Sequence, residues 1–188
     1  MELKEKILRK LESSRGEYVS GEQLAEGFGV SRNAVWKCIK QLEKEGFAIS
    51  SVKNRGYALL EESDALSASG IEKFLHGERP VKVLKKTGST NDEAKALAAL
   101  GARDGTIVVA ESQSEGRGRY RRPFYSPEGA GLYMSILLRP KIPASETLFI
   151  TTCAAVAVCE AIEEVSGKYA EIKWVNDVFL AAKRSAEF

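Results

Sequence analysis

Apolar residues recur at helical spacing through the first part of the chain. Leu3, Ile7, Leu8 and Leu11 share one face with charges between them, which predicts a helix of about three turns ahead of Gly16. Ser20-Gly21-Glu22-Gln23 has capping-box spacing, with the Ser20 hydroxyl accepting from the third backbone N–H and Gln23 reaching back. A short helix with Leu24, Ala25 and Phe28 follows and stops at Gly29. Ser31 then caps a third helix, in which Val35, Ile39 and Leu42 fall at i, i+4 and i+7, and Gly46 with Phe47 behind it marks the stop. The pattern next switches to a hairpin, Ile49–Val52 and Tyr57–Leu59, around Lys53-Asn54-Arg55-Gly56.

The acidic stretch Glu61-Glu62-Ser63-Asp64 lacks periodicity and predicts a domain boundary. Beyond it Ser67 caps a short helix through Ile71, Phe74 and Leu75, ending near His76, and Val81–Leu84 reads as a strand. Thr87-Gly88-Ser89-Thr90-Asn91 is a turn into a helix running to about Leu100. Thr106–Ala110 and Leu132–Leu138 are strands, and Ser145–Val165 is a long apolar helix. Ile172–Leu180 reads as strand, Asn-Asp turn and returning strand, with Lys173 and Asn176 expected at the same end of the sheet as the loop after Ala110.

With 44% hydrophobic and 29% charged residues in 188, the composition supports a buried core and excludes a disordered or fibrous chain. No apolar run reaches the roughly 18 residues of a membrane span, and the charged start excludes a signal peptide. A single histidine, His76, excludes a histidine triad or a multi-histidine metal site. Cys38, Cys153 and Cys159 lack CxxC spacing and read as reduced thiols, the last two as inert core thiols, in a soluble, cytoplasmic protein.

Charge is uneven along the chain. Residues 1–60 carry eleven Lys/Arg against eight Asp/Glu, and four arginines crowd into residues 117–122. Short helix, glycine turn and longer helix is the helix-turn-helix order, with the hairpin as a wing. The longer helix would present Ser31, Arg32, Asn33, Lys37 and Lys40, and the wing Lys53 and Arg55. Arg32 and Asn33 suit base edges, and the lysines suit phosphates. A small helical domain with solvated charges is the competing interpretation, and Trp36 reads as a packing residue. Farther on, Gln113 through Pro123 holds glycines and arginines that cannot build a core, and their mutual repulsion calls for an anionic ligand. A closing lid between two strands fits this segment better than an RNA-binding arginine–glycine tract.

In order, Thr87-Gly88-Ser89-Thr90-Asn91, Gln113 with Gly116-Arg117-Gly118-Arg119, Gly131-Leu132-Tyr133-Met134-Ser135 and Lys173-Trp174-Val175-Asn176-Asp177, behind a winged helix, resemble the bifunctional biotin–protein ligases that double as the biotin operon repressor. The resemblance covers the chain up to Leu180. It implies an α+β fold: a winged helix-turn-helix over residues 1–62, then a class II aminoacyl-tRNA synthetase-like mixed-sheet catalytic domain over 63–188. That domain is expected to be incomplete at its C-terminal end, with the family's SH3-like domain absent. The implied chemistry uses biotin and ATP as substrates, with Mg²⁺, to make biotinyl-5′-AMP and then a biotinylated lysine on the biotin carboxyl carrier protein of acetyl-CoA carboxylase. Operator DNA and a homodimeric repressor form are the other implied partners.

By the same resemblance Ser89, Thr90, Asn91, Gln113, Arg117, Gly118, Arg119 and Arg184 would bind biotin, and Lys173 and Asn176 the nucleotide. Arg119, Lys173 and Arg184 would act in catalysis, and no protein-held metal site is expected. Three positions depart from the family pattern: Arg121 where a glycine is usual, Val175 where a proline is usual, and Arg184, with Lys183 before it, where a biotin-contacting lysine is usual. The alternative is a DNA-binding regulator whose second domain binds ligand without turnover.

Overall fold

The computed structural model describes residues 2–118, 120, 122–173, 176–180 and 183–187. The chain divides into two compact units, Met1–Val83 and Leu84–Phe188. In the first, α1 (Leu3–Ser13), α2 (Gly21–Phe28) and α3 (Arg32–Lys44) precede a hairpin of β1 (Ile49–Val52) and β2 (Gly56–Leu59). The i, i+4 pattern sets the packing: Ile7, Leu11, Val35, Ile39, Leu42 and Leu59 are fully buried against one another. Ser31 caps α3 by accepting from the Ala34 N–H at 3.1 Å. Ser20 accepts from Glu22 N–H rather than from the third N–H as predicted, and the reciprocal box forms instead at α1, between Glu2 and Glu5.

The hairpin pairs Val52 with Gly56 and Ile49 with Leu59, and an isolated bridge from Val19 to Tyr57 backs it. Gly56 sits at φ +107°, where any Cβ would run into the Val19 carbonyl, so the wing turn needs glycine there. This is the winged helix-turn-helix expected from the pattern.

The first unit does not stop at residue 62. Glu12, buried on α1, holds Arg15 at 2.9 Å, the Ser67 hydroxyl at 3.1 Å and Lys73 at 3.5 Å. Arg15 in turn donates to the carbonyls of Ser63 (2.8 Å) and Leu60 (3.2 Å). These bonds tie α4 (Ala68–Glu72), capped by Ser67 as predicted, to α1, and the unit runs on to Val83.

β3 (Val81–Leu84), whose last residue opens the second unit, β4 (Thr106–Ala110) and β5 (Tyr133–Leu137) form one sheet in that order. Beyond β3 and β4 the chains run the same way: Glu111 N–H donates to Leu84 O, Thr87 N–H to Ser112 O and Ser114 N–H to Thr87 O. Because β5 is antiparallel to β4, the sheet is mixed. α5 (Thr90–Ala99) packs on β4 and β5. β4 is buried along its length, whereas β5 alternates, with Tyr133 and Ser135 inward and Met134 and Ile136 outward.

A second, antiparallel sheet holds β6 (Ala170–Lys173), β7 (Asp177–Leu180) and β8 (Lys183–Glu187). α6 (Leu148–Ser166) covers it through Cys159, against Ala170 and Val178. The predicted helix start at Ser145 is instead a 3-10 turn, Ala144–Glu146, and β8 was not anticipated.

Two residues are not where their residue type suggested. Trp36 is exposed on α3, and Cys153 is exposed on α6. Both lie off the buried stripe of their helix. Cys159 is buried as expected, and burial, with Glu163 and Glu160 adding, pushes its thiol pKa up. Among the described residues no helix is long and apolar enough to cross a membrane.

Candidate functional site

In the second unit the site grows from the start of α5. The first N–H groups of a helix have no partner within it. Ser89 is the residue before the helix, yet its hydroxyl makes no capping bond. Gln113 serves instead: its Oε1 accepts from the Thr90 N–H at 2.8 Å and from the Thr90 hydroxyl at 3.1 Å. That fixes the amide, so Nε2 donates to Ser126 Oγ at 3.2 Å, and Ser126 donates onward to Phe124 O at 3.1 Å. From β5 the Ser135 hydroxyl points its one proton between Thr90 Oγ1 (2.9 Å) and Asn91 Oδ1 (3.0 Å). Ser89, Thr90, Ser126 and Ser135 are buried, while Asn91 is exposed.

The arginine segment is laced to the same turn. Glu115 N–H donates to Gly88 O at 2.8 Å, and the segment folds back on itself through Gly118 N–H to Arg122 O and Phe124 N–H to Gly116 O. A Cβ on Gly116 would lie 2.5 Å from Ser126 Oγ and 2.7 Å from Phe124 O, so glycine is required by close approach. Arg117 is not left to repel its neighbours: Asp92 on α5 meets it at 3.1 Å and Glu115 at 3.5 Å. The structure thus gathers Ser89, Thr90, Asn91, Gln113, Arg117 and Gly118, whereas Arg119 lies outside the described residues. Such a set, with hydroxyls, an oriented amide, a helix start and a cation, can hold a small polar acid.

Lys173 and Asn176 belong to the second sheet, contrary to the expectation that they share a sheet end with the arginine segment. Lys173 Nζ lies 5.8 Å from the centre of the Phe179 ring, and Asn176 is buried just before β7. Arg184 stands opposite Phe179 in β8, its side chain outside the described part of the structure, as are Trp174 and Val175. Ser126, Ser135 and Asp92 were missed from the sequence. Ser135 had a signal, a polar residue at an inward position of an apolar strand; Ser126 had none.

The first unit offers a second face. Arg32, Asn33, Trp36 and Lys37 are exposed along α3, and Lys53 and Arg55 at the wing tip. Ser31 uses its oxygen as the cap, which leaves its proton to donate outward. Lys40 pairs with Glu43 at 2.6 Å. Arg55 lies 4.4 Å over the Tyr18 ring, whose hydroxyl is hydrogen-bonded to Ser50 at 2.8 Å, so the wing cation is held in place before any partner arrives.

Known proteins agree with both halves. Residues 4–58 match an HTH domain, and residues 83–184 match the Biotin/lipoate A/B protein ligase family. The second match spans more than half of the chain, which therefore belongs to the biotin/lipoate A/B protein ligase family. The bifunctional ligase/repressor BirA of Bacillus subtilis (strain 168) is 38% identical over 97% of this chain and 57% of its own length. That of Escherichia coli (strain K12) is 33% identical over 92% and 53%. The chain thus spans little more than half the length of these curated relatives. A crystal structure of biotin protein ligase from Leishmania major with biotinyl-5-AMP is similar at a TM-score of 0.50 and 25% identity, over 56% of this chain and 49% of that one.

Proposed function

We propose that this chain carries the DNA-reading and biotin-activating parts of an ATP-dependent biotin–protein ligase that also represses transcription in response to biotin. One observation carries the ligase half: Gln113 joins the Thr90 end of α5 by two hydrogen bonds, and the arginine segment is laced to that turn through Glu115 and Gly88. Its relatives bear the name ligase/repressor, and the winged helix supports the second half of that name.

In the first step a biotin carboxylate oxygen attacks the α-phosphorus of ATP, the bond to the bridging oxygen breaks, and pyrophosphate leaves with biotinyl-5′-AMP remaining. In the second a lysine amine of the biotin carboxyl carrier protein of acetyl-CoA carboxylase displaces AMP. Two anions must approach, so cations have to offset their repulsion and the charge developing at phosphorus. Ser89, Thr90, Asn91 and Gln113 would hydrogen-bond biotin, with Arg184 completing its site. Arg117, Gly118 and Arg119 would close over the adenylate and exclude water from a mixed anhydride that hydrolyses. Lys173 and Asn176 would address the nucleotide phosphate. Arg119, Lys173 and Arg184 act at the reacting groups.

Among the described residues no three His, Cys, Asp or Glu side chains gather to hold a metal. Mg²⁺ would enter on the triphosphate, an ion that substrate phosphates ordinarily hold with few protein carboxylates. Ser31, Arg32, Asn33, Lys37, Lys40, Lys53 and Arg55 would contact operator DNA in a homodimer assembled by adenylate binding, in the cytoplasm.

Biotin-dependent exchange of labelled pyrophosphate into ATP tests the first step. Wild type should exchange only with biotin present, and Arg119→Ala should release biotinyl-5′-AMP faster than wild type. A folded chain that binds biotin without exchange would leave a regulator that does not turn over.

A further inference from the structure

The outward face of α3 carries one side chain that the cation-based account of DNA binding leaves idle. Val35, Ile39 and Leu42 turn inward, and Trp36, next in line to Val35, is rotated about 100° away from it. It is 48% exposed and lies outside the core that those residues build. Its neighbours along the face are Arg32 and Asn33, one turn before it, and Lys40, one turn after it, with Lys37 to one side of that row. Arg32 and Lys37 make no ion pair among the described residues.

The exposed half of this indole costs free energy in water unless something covers it. The cations around it select what that is. The buried centre of a protein–protein interface is depleted of lysine, whereas a cationic rim around an aromatic suits a polyanion with an apolar feature inside its groove. In the major groove of DNA the one such feature is the C5-methyl group of thymine. Asn33 and Arg32, which suit base edges, bracket the indole one turn away, so an α3 that places them at bases brings Trp36 to the same depth.

We propose that Trp36 is a base-contacting residue that recognises the 5-methyl group of a thymine in the DNA bound by α3; this rests on α3 being the recognition helix. An indole packed on sugar and phosphate alone would feel no methyl group, which gives the experiment its contrast.

A pool of random duplexes is selected on the wild-type chain with biotin and ATP present, and each thymine of the enriched sequence is replaced in turn by deoxyuridine, which deletes only the methyl group. For wild type, replacement at one thymine per half-site should weaken binding about fourfold, the worth of one buried methyl-sized group. In Trp36→Ala the same replacement should change nothing, and Trp36→Phe should retain part of the effect. A deoxyuridine penalty equal in wild type and Trp36→Ala overturns the proposal, as does the absence of any penalty in wild type while a sequence is still enriched. A wild type that enriches no sequence overturns the assignment of α3 as recognition helix together with it. Should Trp36→Ala unfold, as read by circular dichroism, the comparison is made between wild type and Trp36→Phe, where an identical penalty at every thymine also overturns it.

Discussion

At the scale of single residues, the start of α5 depends on one amide being the right way round. Gln113 can accept from Thr90 only if its nitrogen faces Ser126, and Ser126 is held there by the Phe124 carbonyl. Gly116 passes so close to all three that an added methyl group has nowhere to go. Gly116→Ala is therefore expected to lose about 1–3 kcal/mol of stability through overpacking. It should also weaken biotin binding by about tenfold, one and a half kilocalories or so being lost where the turned amide no longer meets the ligand. Thermal unfolding and calorimetric titration with biotin check the two halves separately. The motif residues of this cluster are legible in the sequence because turn, hydroxyls and glycines occur in a fixed order. Ser126 and Asp92 are not, because their roles depend on the path of the arginine segment through space, which no spacing along the chain encodes.

At the scale of elements, periodicity is a good guide wherever a helix buries a stripe. It places α1, α2, α3 and the wing, and it turns Trp36 outward once position is weighed above residue type, since Trp36 does not fall on the 35, 39, 42 stripe. The domain boundary escapes it for the opposite reason. Glu61-Glu62-Ser63-Asp64 looks like a linker locally, but Glu12 reaches across 55 residues to Ser67 and 61 to Lys73 and fastens α4 to the first helix. Removing that carboxylate leaves Arg15 and Lys73 without their shared anion. Glu12→Ala should cost about 2 kcal/mol, less than a fully buried pair because both cations keep some contact with water. Urea unfolding measures the loss, and limited proteolysis should show earlier cleavage between Ser63 and Leu75.

At the scale of the whole molecule, charge is nearly balanced, at +2 overall, and what matters is which cations are already matched. Lys37 makes no ion pair among the described residues, whereas Lys40 has Glu43 at 2.6 Å. DNA affinity should fall steeply with salt, and Lys37→Ala should make the log–log slope shallower by about 0.9, one phosphate's share. Lys40→Ala should change it less, since that lysine must first let go of a carboxylate; filter binding across a salt series reads both slopes. The same matching governs the other half of the chain. Arg117 comes with its own acid, Asp92. In the proposed ligase an incoming carboxylate would meet not a vacancy but a sitting tenant, which it would have to displace. Weak, transient anions such as acetate would lose that contest, so the aspartate would act as a sieve, admitting only an acid that the surrounding hydroxyls and amide also grip.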